Sequence, residues 1–350
     1  MHRYNYSFLK SEIPGNILGL TNIISDLKSK EEFRKLQYQE TFEILRQKAV
    51  IESVKGSNAI EGIVTTDSRI KDIVAGAKPV THEEEEIAGY KNALNLLHAN
   101  YEKMDITEDL ILMFHSMIED QVNHQEAGRY KRNDNFILEI DSNGVRRVRF
   151  KPVPAKNVRN DIEQMLLAYY DARQDDQISP LLLIPCFVLD FLCIHPFTDG
   201  NGRVSRLLTV LLLYLSGYDI VKYISFENQI NKYKESYYDA LEESSISWHD
   251  NKNDYIPFII NFLQILYRCF KDLDDAFTDI SLKKAKKSER VEKILMESIV
   301  PISKQDIIQK VPDISVNTVE LVLSKLLKEN KIIKIGTYRD ARYMRNFDVS

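Results

Sequence analysis

The sequence predicts a mainly α-helical chain with one β-hairpin in its middle and a small helical unit, closed by a second hairpin, at its C-terminal end. Three observations carry this. Only 12 glycines and 10 prolines punctuate 350 residues, so long uninterrupted segments dominate. Apolar residues recur in those segments at helical spacing. Alternation of apolar and polar residues around an Asn-Gly pair marks a single central stretch.

Taken in order, helices are predicted over Glu31 to Lys55, His82 to Tyr101, Thr107 to Val122, Val158 to Ala172, Leu181 to Ile194, Arg203 to Leu215, Asn228 to Ser244 and Ile256 to Phe270. Thr107 is placed to cap one start, and Gly217 follows one stop. FILEIDSNGVRRVRF, Phe136 to Phe150, reads as a hairpin turning at Ser142-Asn143-Gly144. HEEEE, His82 to Glu86, reads as an acidic first helical turn facing solvent rather than as a metal site. Near Ser281 the composition turns basic and polar, as in a linker. Beyond it, Glu289 to Ser298, Lys304 to Lys310 and Asn317 to Glu329 read as three helices, followed by two short strands around Gly336 to Asp340. Three helices and a hairpin make a winged helix-turn-helix pattern. The expected organisation is a helical region over 1–100, a central core over 101–275, a linker over 276–287 and a winged helix-turn-helix domain over 288–350.

The net charge of −5 argues against non-specific nucleic-acid binding by the chain as a whole. Three cysteines, Cys186, Cys193 and Cys269, include two in an apolar run, which suggests buried free thiols and a reducing compartment. The first residues lack the apolar stretch of a signal peptide, and the longest apolar run falls short of a bilayer span. A cytoplasmic chain with no membrane partner is expected.

The chemistry concentrates in HPFTDGNGRVSR, residues 195 to 206, between two apolar runs. Gly200, Asn201 and Gly202 lead straight into a helix whose first backbone N–H groups lack internal partners. Glycines before such N–H groups let them converge on one anion. Arg203 and Arg206 are three apart and can both reach from the first turn, and arginine grips phosphate through two parallel bonds. Asp199 would be out of place in an anion site unless a Mg²⁺ ion bridged it to phosphate. A neutral His195, near the end of the preceding helix, can take a proton from a hydroxyl. Base, metal ligand, anion nest and arginines together describe a phosphoryl- or nucleotidyl-transfer site.

HPFTDGNGRVSR resembles the Fic family signature, H-x-F-x-[DE]-G-N-G-R-x-x-R, at every specified position. The resemblance implies the Fic helical fold and transfer of AMP from ATP to a Tyr, Thr or Ser hydroxyl of a protein, this chain's own included. It implies His195 as general base and Asp199 as Mg²⁺ ligand. Asn201 and the Gly200 to Gly202 backbone would hold the α-phosphate, Arg203 the β-phosphate and Arg206 the γ-phosphate. SNAIEG, residues 57 to 62, fits a helix capping box through Asn58 and Glu61. It is also similar to the family's inhibitory motif, which implies that Ser57 belongs to that motif and that Glu61 occupies Arg206. The hairpin resembles the Fic flap, with Val148, Arg149 and Phe150 positioning the target by strand addition. YYDAL implies that Tyr238 stacks on the adenine, although Ser244 and Ser245 stand where relatives often carry an asparagine.

The same resemblance leaves two rivals to an adenylyltransferase restrained by Glu61. One is a DNA-binding regulator whose Fic unit only senses nucleotide. The other is an enzyme that removes AMP. Intact His195 and Asp199 favour chemistry over sensing. Lys331, Lys334, Arg339, Arg342 and Arg345 near the C-terminal strands, with Asn317, Thr318, Lys325 and Lys328 on the last helix, suit DNA or protein docking. A homodimer is among the assemblies the resemblance implies.

Overall fold

The structure is a computed structural model. It describes the chain except Met1, Glu12, Gln121 and residues 141–145, 285–286, 299–300, 312–313, 338–340 and 347–350. The hairpin turn at Ser142-Asn143-Gly144 and Arg339 therefore lie outside the described residues. The chain divides into two units, Met1–Leu273 and Asp274–Ser350.

The first unit begins with α1 (Gly15–Gln37), α2 (Gln39–Ile60), α3 (Asp67–Val74), α4 (His82–Asn100) and α5 (Glu108–Glu119). Strands β1 (Ile137–Ile140) and β2 (Arg146–Phe150) follow, and then α6 (Val158–Arg173), α7 (Pro180–Ile194) and α8 (Asn201–Leu215). Helices α9 (Phe226–Lys232) and α10 (Lys234–Ser245) come next, and α11 (Ile256–Lys284) begins in this unit and runs past its last residue, Leu273. Helices α7 and α8 form the centre. Nearly every residue of both is buried, α7 because it is apolar almost all round and α8 although its first turns carry Asn201, Arg203 and Arg206. Pro180 at the first position of α7 starts it without losing a bond. Helices α6, α5, α4, α2 and α10 pack around this pair. Thr107 does cap α5, accepting the Leu110 N–H, and Gly217 follows α8 with a φ of +75°.

Several boundaries differ from expectation. Helices α1 and α3 were not anticipated. The helix expected over Glu31 to Lys55 is broken at Tyr38, and the one over Asn228 to Ser244 at Tyr233. The segment expected as a linker is helical as far as Lys284. All three cysteines are buried and free. Among the described residues, no helix is long and apolar enough to cross a membrane.

The second unit holds α12 (Lys287–Glu297), β3 (Ile302–Ser303), α13 (Lys304–Lys310), α14 (Val316–Lys328), β4 (Ile332–Ile335) and β5 (Arg342–Arg345). Its strands form an antiparallel sheet in the order β3-β5-β4. Its core is apolar, with Val291, Leu295, Ile307, Val319, Leu323 and Leu326 among its buried members. Ser303 and Asp306 close a reciprocal capping box at the start of α13.

Candidate active site

Helix α7 ends at His195, which adopts a left-handed φ of +50°. That conformation is costly for a residue with a Cβ and persists only where its surroundings enforce it. Pro196 follows and cannot continue the helix. Phe197 is fully buried and stacks on His115 with ring centroids 3.7 Å apart. Asn201 clamps the loop by accepting the Phe197 N–H on Oδ1 and donating from Nδ2 to the Phe197 carbonyl, both at 2.9 Å. His115 accepts the Gly128 N–H on Nδ1, so its Nε2 carries a proton and donates to the Asp199 carbonyl at 3.2 Å.

Gly200 takes a φ of +78° and offers no side-chain cap to α8. A Cβ there would sit 3.1 Å from Glu119 Oε1 and 3.3 Å from His115 Cδ2. At Gly202 a Cβ would run into Glu61 Oε1. The left-handed turn thus calls for glycine at 200, Gly202 lets the flexible Glu61 carboxylate come close, and α8 starts without a side-chain cap of its own.

His195 Nδ1 faces two amides, Asn135 Nδ2 at 3.1 Å and Asn201 Nδ2 at 3.2 Å. Lys131, buried beside it, donates to Asn135 Oδ1 at 2.7 Å. Burial, reinforced by the Lys131 charge, pushes the imidazole down to about 4, so it is neutral at pH 7. Burial pushes the Lys131 ammonium down to about 8.

Arg206 is held by three bonds from SNAIEG. Its Nε donates to Ser57 Oγ at 2.9 Å, and its Nη2 donates to the Ser57 carbonyl at 3.0 Å and to Glu61 Oε1 at 2.7 Å. Burial is the largest influence and works against the guanidinium charge, but the Glu61 carboxylate together with the Tyr90 and Tyr238 hydroxyls holds the group above its ordinary range. SNAIEG closes α2 rather than opening a helix, which overturns the capping-box reading. Asn58 Nδ2 donates back to the Val54 carbonyl at 2.7 Å. The end of α2 is placed firmly. A Cβ at Gly56 would lie 2.8 Å from the Asn228 nitrogen in α9, and Lys234 donates to the Ile60 carbonyl at 2.6 Å.

Arg203 departs from expectation. Its guanidinium is buried between Glu86 and Glu119, with Glu119 Oε1 at 2.9 Å, and only reaches Asp199 Oδ2 at 3.7 Å. Here it ties α8 to α4 and α5 rather than presenting itself to a phosphate. HEEEE does not simply face solvent either. Glu86 binds Arg203, and Glu84 binds Arg69 at 2.6 Å. Asp199 is 80% exposed and keeps its carboxylate at the mouth of the loop.

A cavity of about 220 Å³ is lined by Glu61, Arg149, Phe150, His195, Gly202 and Tyr238, among others. Larger clefts lie elsewhere in the unit, but none is lined by residues of the 195–206 loop. In the β1–β2 hairpin, Ile137 pairs with Phe150 and Leu138 with Val148, so Arg149 is a bulged extra residue. The bulge turns its guanidinium toward α10, where it donates to the Tyr238 carbonyl and lies 3.4 Å from Glu242. Val148 is 59% exposed and is not among the cavity-lining residues. The structure thus gathers Glu61, His195, Gly202, Arg149, Phe150 and Tyr238. It leaves Val148 outside and Arg203 behind. His115, Glu119, Lys131 and Asn135 escaped sequence reasoning, because nothing local distinguishes them from residues of an ordinary helix or loop.

Residues 105–213 match the profile of the Fic/DOC family. The chain carries a Fic domain. It is 27% identical over 240 residues to the protein adenylyltransferase Fic of Nematostella vectensis, covering 66% of this chain and 49% of that one. It is 25% identical over 202 residues to protein adenylyltransferase fic-1 of Caenorhabditis elegans, covering 56% and 37%. The chain therefore spans half or less of the length of these curated relatives. A crystal structure of a Fic family protein from Desulfovibrio desulfuricans matches with a TM-score of 0.63 at 21% identity, covering 96% of this chain and 97% of that chain. Fic-1 from C. elegans matches with a TM-score of 0.59 at 20% identity, covering 75% and 73%. These structures share the Fic fold.

Proposed function

We propose that the chain is a protein adenylyltransferase that moves AMP from ATP to a hydroxyl of a protein target and is restrained by Glu61. The Glu61–Arg206 pair carries this reading. An arginine at the open N-terminus of a helix, beside a neutral histidine, is suited to a triphosphate, and a carboxylate of the chain itself stands on it. The names of the relatives point the same way. The cavity of about 220 Å³ falls below the ~300 Å³ at which ligand pockets begin, and Glu61 is among the side chains that narrow it.

With Glu61 withdrawn, Arg206 would turn to the γ-phosphate. The α8 N–H groups would hold the α- and β-phosphates, and Tyr238 would lie under the base. His195 would take the proton of the attacking hydroxyl as its oxygen bonds to the α-phosphorus and pyrophosphate leaves. Arg203 acts indirectly, by fixing the loop that carries Asp199. Among the described residues, no three His, Cys, Asp or Glu side chains could enclose a metal. The single exposed Asp199 carboxylate instead suits a Mg²⁺ ion that shares its ligands with a triphosphate. Mg²⁺ bound there would neutralise charge on the phosphates. The outer backbone edge of the flap would receive the target as an added strand.

The test is label transfer from α-³²P-ATP with Mg²⁺, in buffer and in cell lysate. Glu61→Gly should label protein more strongly than the native chain. Glu61→Gly with His195→Ala should not label at all. Equal labelling with and without Glu61 would remove the restraint from the proposal, and no label in any case would remove the transfer.

For the second unit we infer a winged helix that docks a partner. Its order of helix, strand, two helices and two strands supports this. Salt-dependent retention of the full chain on duplex DNA is the measurement that tests DNA as that partner.

A further inference from the structure

We propose that Asn135, held by Lys131, is a positioning residue that keeps His195 protonated on Nε2, the tautomer unable to take a proton from a target hydroxyl. The inference rests on the reading of His195 as the general base and adds a restraint separate from Glu61.

A neutral imidazole has one N–H and one acceptor nitrogen, and its neighbours decide which is which. Here Nδ1 faces two side-chain amides. The direction of an amide is normally assigned from its surroundings, and both surroundings are decisive. Asn201 Oδ1 accepts the Phe197 N–H, so its other end is the NH₂. Asn135 Oδ1 accepts from the Lys131 ammonium, a group with donors only, so its other end is the NH₂ as well. Each NH₂ spends one hydrogen on the Phe197 carbonyl, at 2.9 Å from Asn201 and 3.2 Å from Asn135. The second hydrogen of each is left for Nδ1. A proton on Nδ1 would face two donors and no acceptor. Nδ1 is therefore the acceptor, and the single proton sits on Nε2, the nitrogen left for the cavity that His195 lines.

A base must offer a lone pair where the hydroxyl arrives. For Nε2 to do so, the proton must move to Nδ1, and Nδ1–H needs an acceptor. The Asn201 amide cannot turn, because backbone groups hold both its ends. The Asn135 amide can turn, but only if Lys131 releases Oδ1 and Nδ2 gives up its longer bond to the Phe197 carbonyl. Lys131 also reaches the Ile194 carbonyl at 3.4 Å, the last residue of the helix that carries His195. Glu61 thus governs where the triphosphate lies, and Asn135 governs whether the base is ready.

The experiment is histidine ¹⁵N NMR on the full chain, which distinguishes the two neutral tautomers by the shifts of their ring nitrogens. The native protein should show His195 as Nε2–H. Asn135→Asp supplies a carboxylate that accepts Nδ1–H and still takes Lys131, and it should switch the ring to Nδ1–H. In the Glu61→Gly background the same change should raise label transfer by about tenfold or more. Lys131→Met, which frees the amide, should shift the ring in the same direction. The His115 resonances in the same spectra report whether each variant is folded. Nδ1–H in the native protein would overturn the proposal whatever the activities. So would Nε2–H persisting in both folded variants. A tautomer switch without label in any variant would leave the assignment standing and count against AMP transfer instead.

Discussion

Ser57 shows how much one hydroxyl can contribute at the residue scale. Its Oγ accepts the Arg206 Nε–H inside a buried site, and no other partner stands at that nitrogen among the described bonds. Removing an acceptor from a buried charged donor costs ~1.5–3 kcal/mol. Ser57→Ala should therefore weaken the restrained state and raise label transfer by about tenfold, since 1.4 kcal/mol is a factor of ten. The rise should be smaller than with Glu61→Gly, because the bonds to Glu61 and the Ser57 carbonyl remain. A rate equal to that of the native chain would place Ser57 outside the restraint. Residues 195 to 206 and 57 to 62 were legible in the sequence because each motif is short and contiguous. The ion pairs of Arg203 were not legible because its partners, Glu86 and Glu119, lie far away in the chain. Side-chain spacing tells where an arginine can reach, not which carboxylates the fold brings to meet it. Lys131 and Asn135 were invisible for the same reason.

Helices α4 to α8 could be read at the element scale because their apolar spacing or length is strong. Helix α1 could not, since its apolar residues scatter around its surface and Gly15 and Gly19 lower its propensity. Breaks at Tyr38 and Tyr233 leave no proline or glycine in the sequence to mark them. The exposed side of α14 bears on the docking partner. Asn317, Lys325 and Lys328 are exposed there, but so are Val316 and, at 72%, Leu321. Lys304 is paired with Glu320, and Lys331 with Glu292 and Glu329. A DNA reader keeps its cations free for phosphate. If α14 reads DNA, retention on duplex DNA should fall steeply with salt, and Lys325→Glu with Lys328→Glu should abolish it. Retention that is absent at low salt would leave the apolar Leu321 face to a protein partner.

The whole molecule carries a prediction written in its buried histidines. Burial, as the leading cause, pushes His2, His98, His115 and His195 each down to about 4 from an ordinary 6.5. The unfolded chain therefore takes up four protons between about pH 6.5 and 4 that the folded chain refuses. Two acids pull the other way. Burial raises Glu31 to about 7 and Asp190 to about 6, so the folded chain binds their protons first. Burial raises Glu119 and Asp161 in the same sense. Four protons against two leave a net of about two in favour of the unfolded state near pH 5.5, reduced somewhat by the latter pair. Stability rises with pH wherever the unfolded state binds more protons, by ~1.4 kcal/mol per pH unit for each. The first unit should therefore lose stability at roughly 1–3 kcal/mol per pH unit as pH falls from 6.5 toward 5. Thermal unfolding across that range measures it directly. His98→Gln should flatten the slope by one proton's share, because Gln does not titrate and its amide N–H can still meet the Tyr214 hydroxyl that now bonds His98 at 2.7 Å. A Tm that stays level or rises on acidification would mean that Glu31 and Asp190 outweigh the histidines.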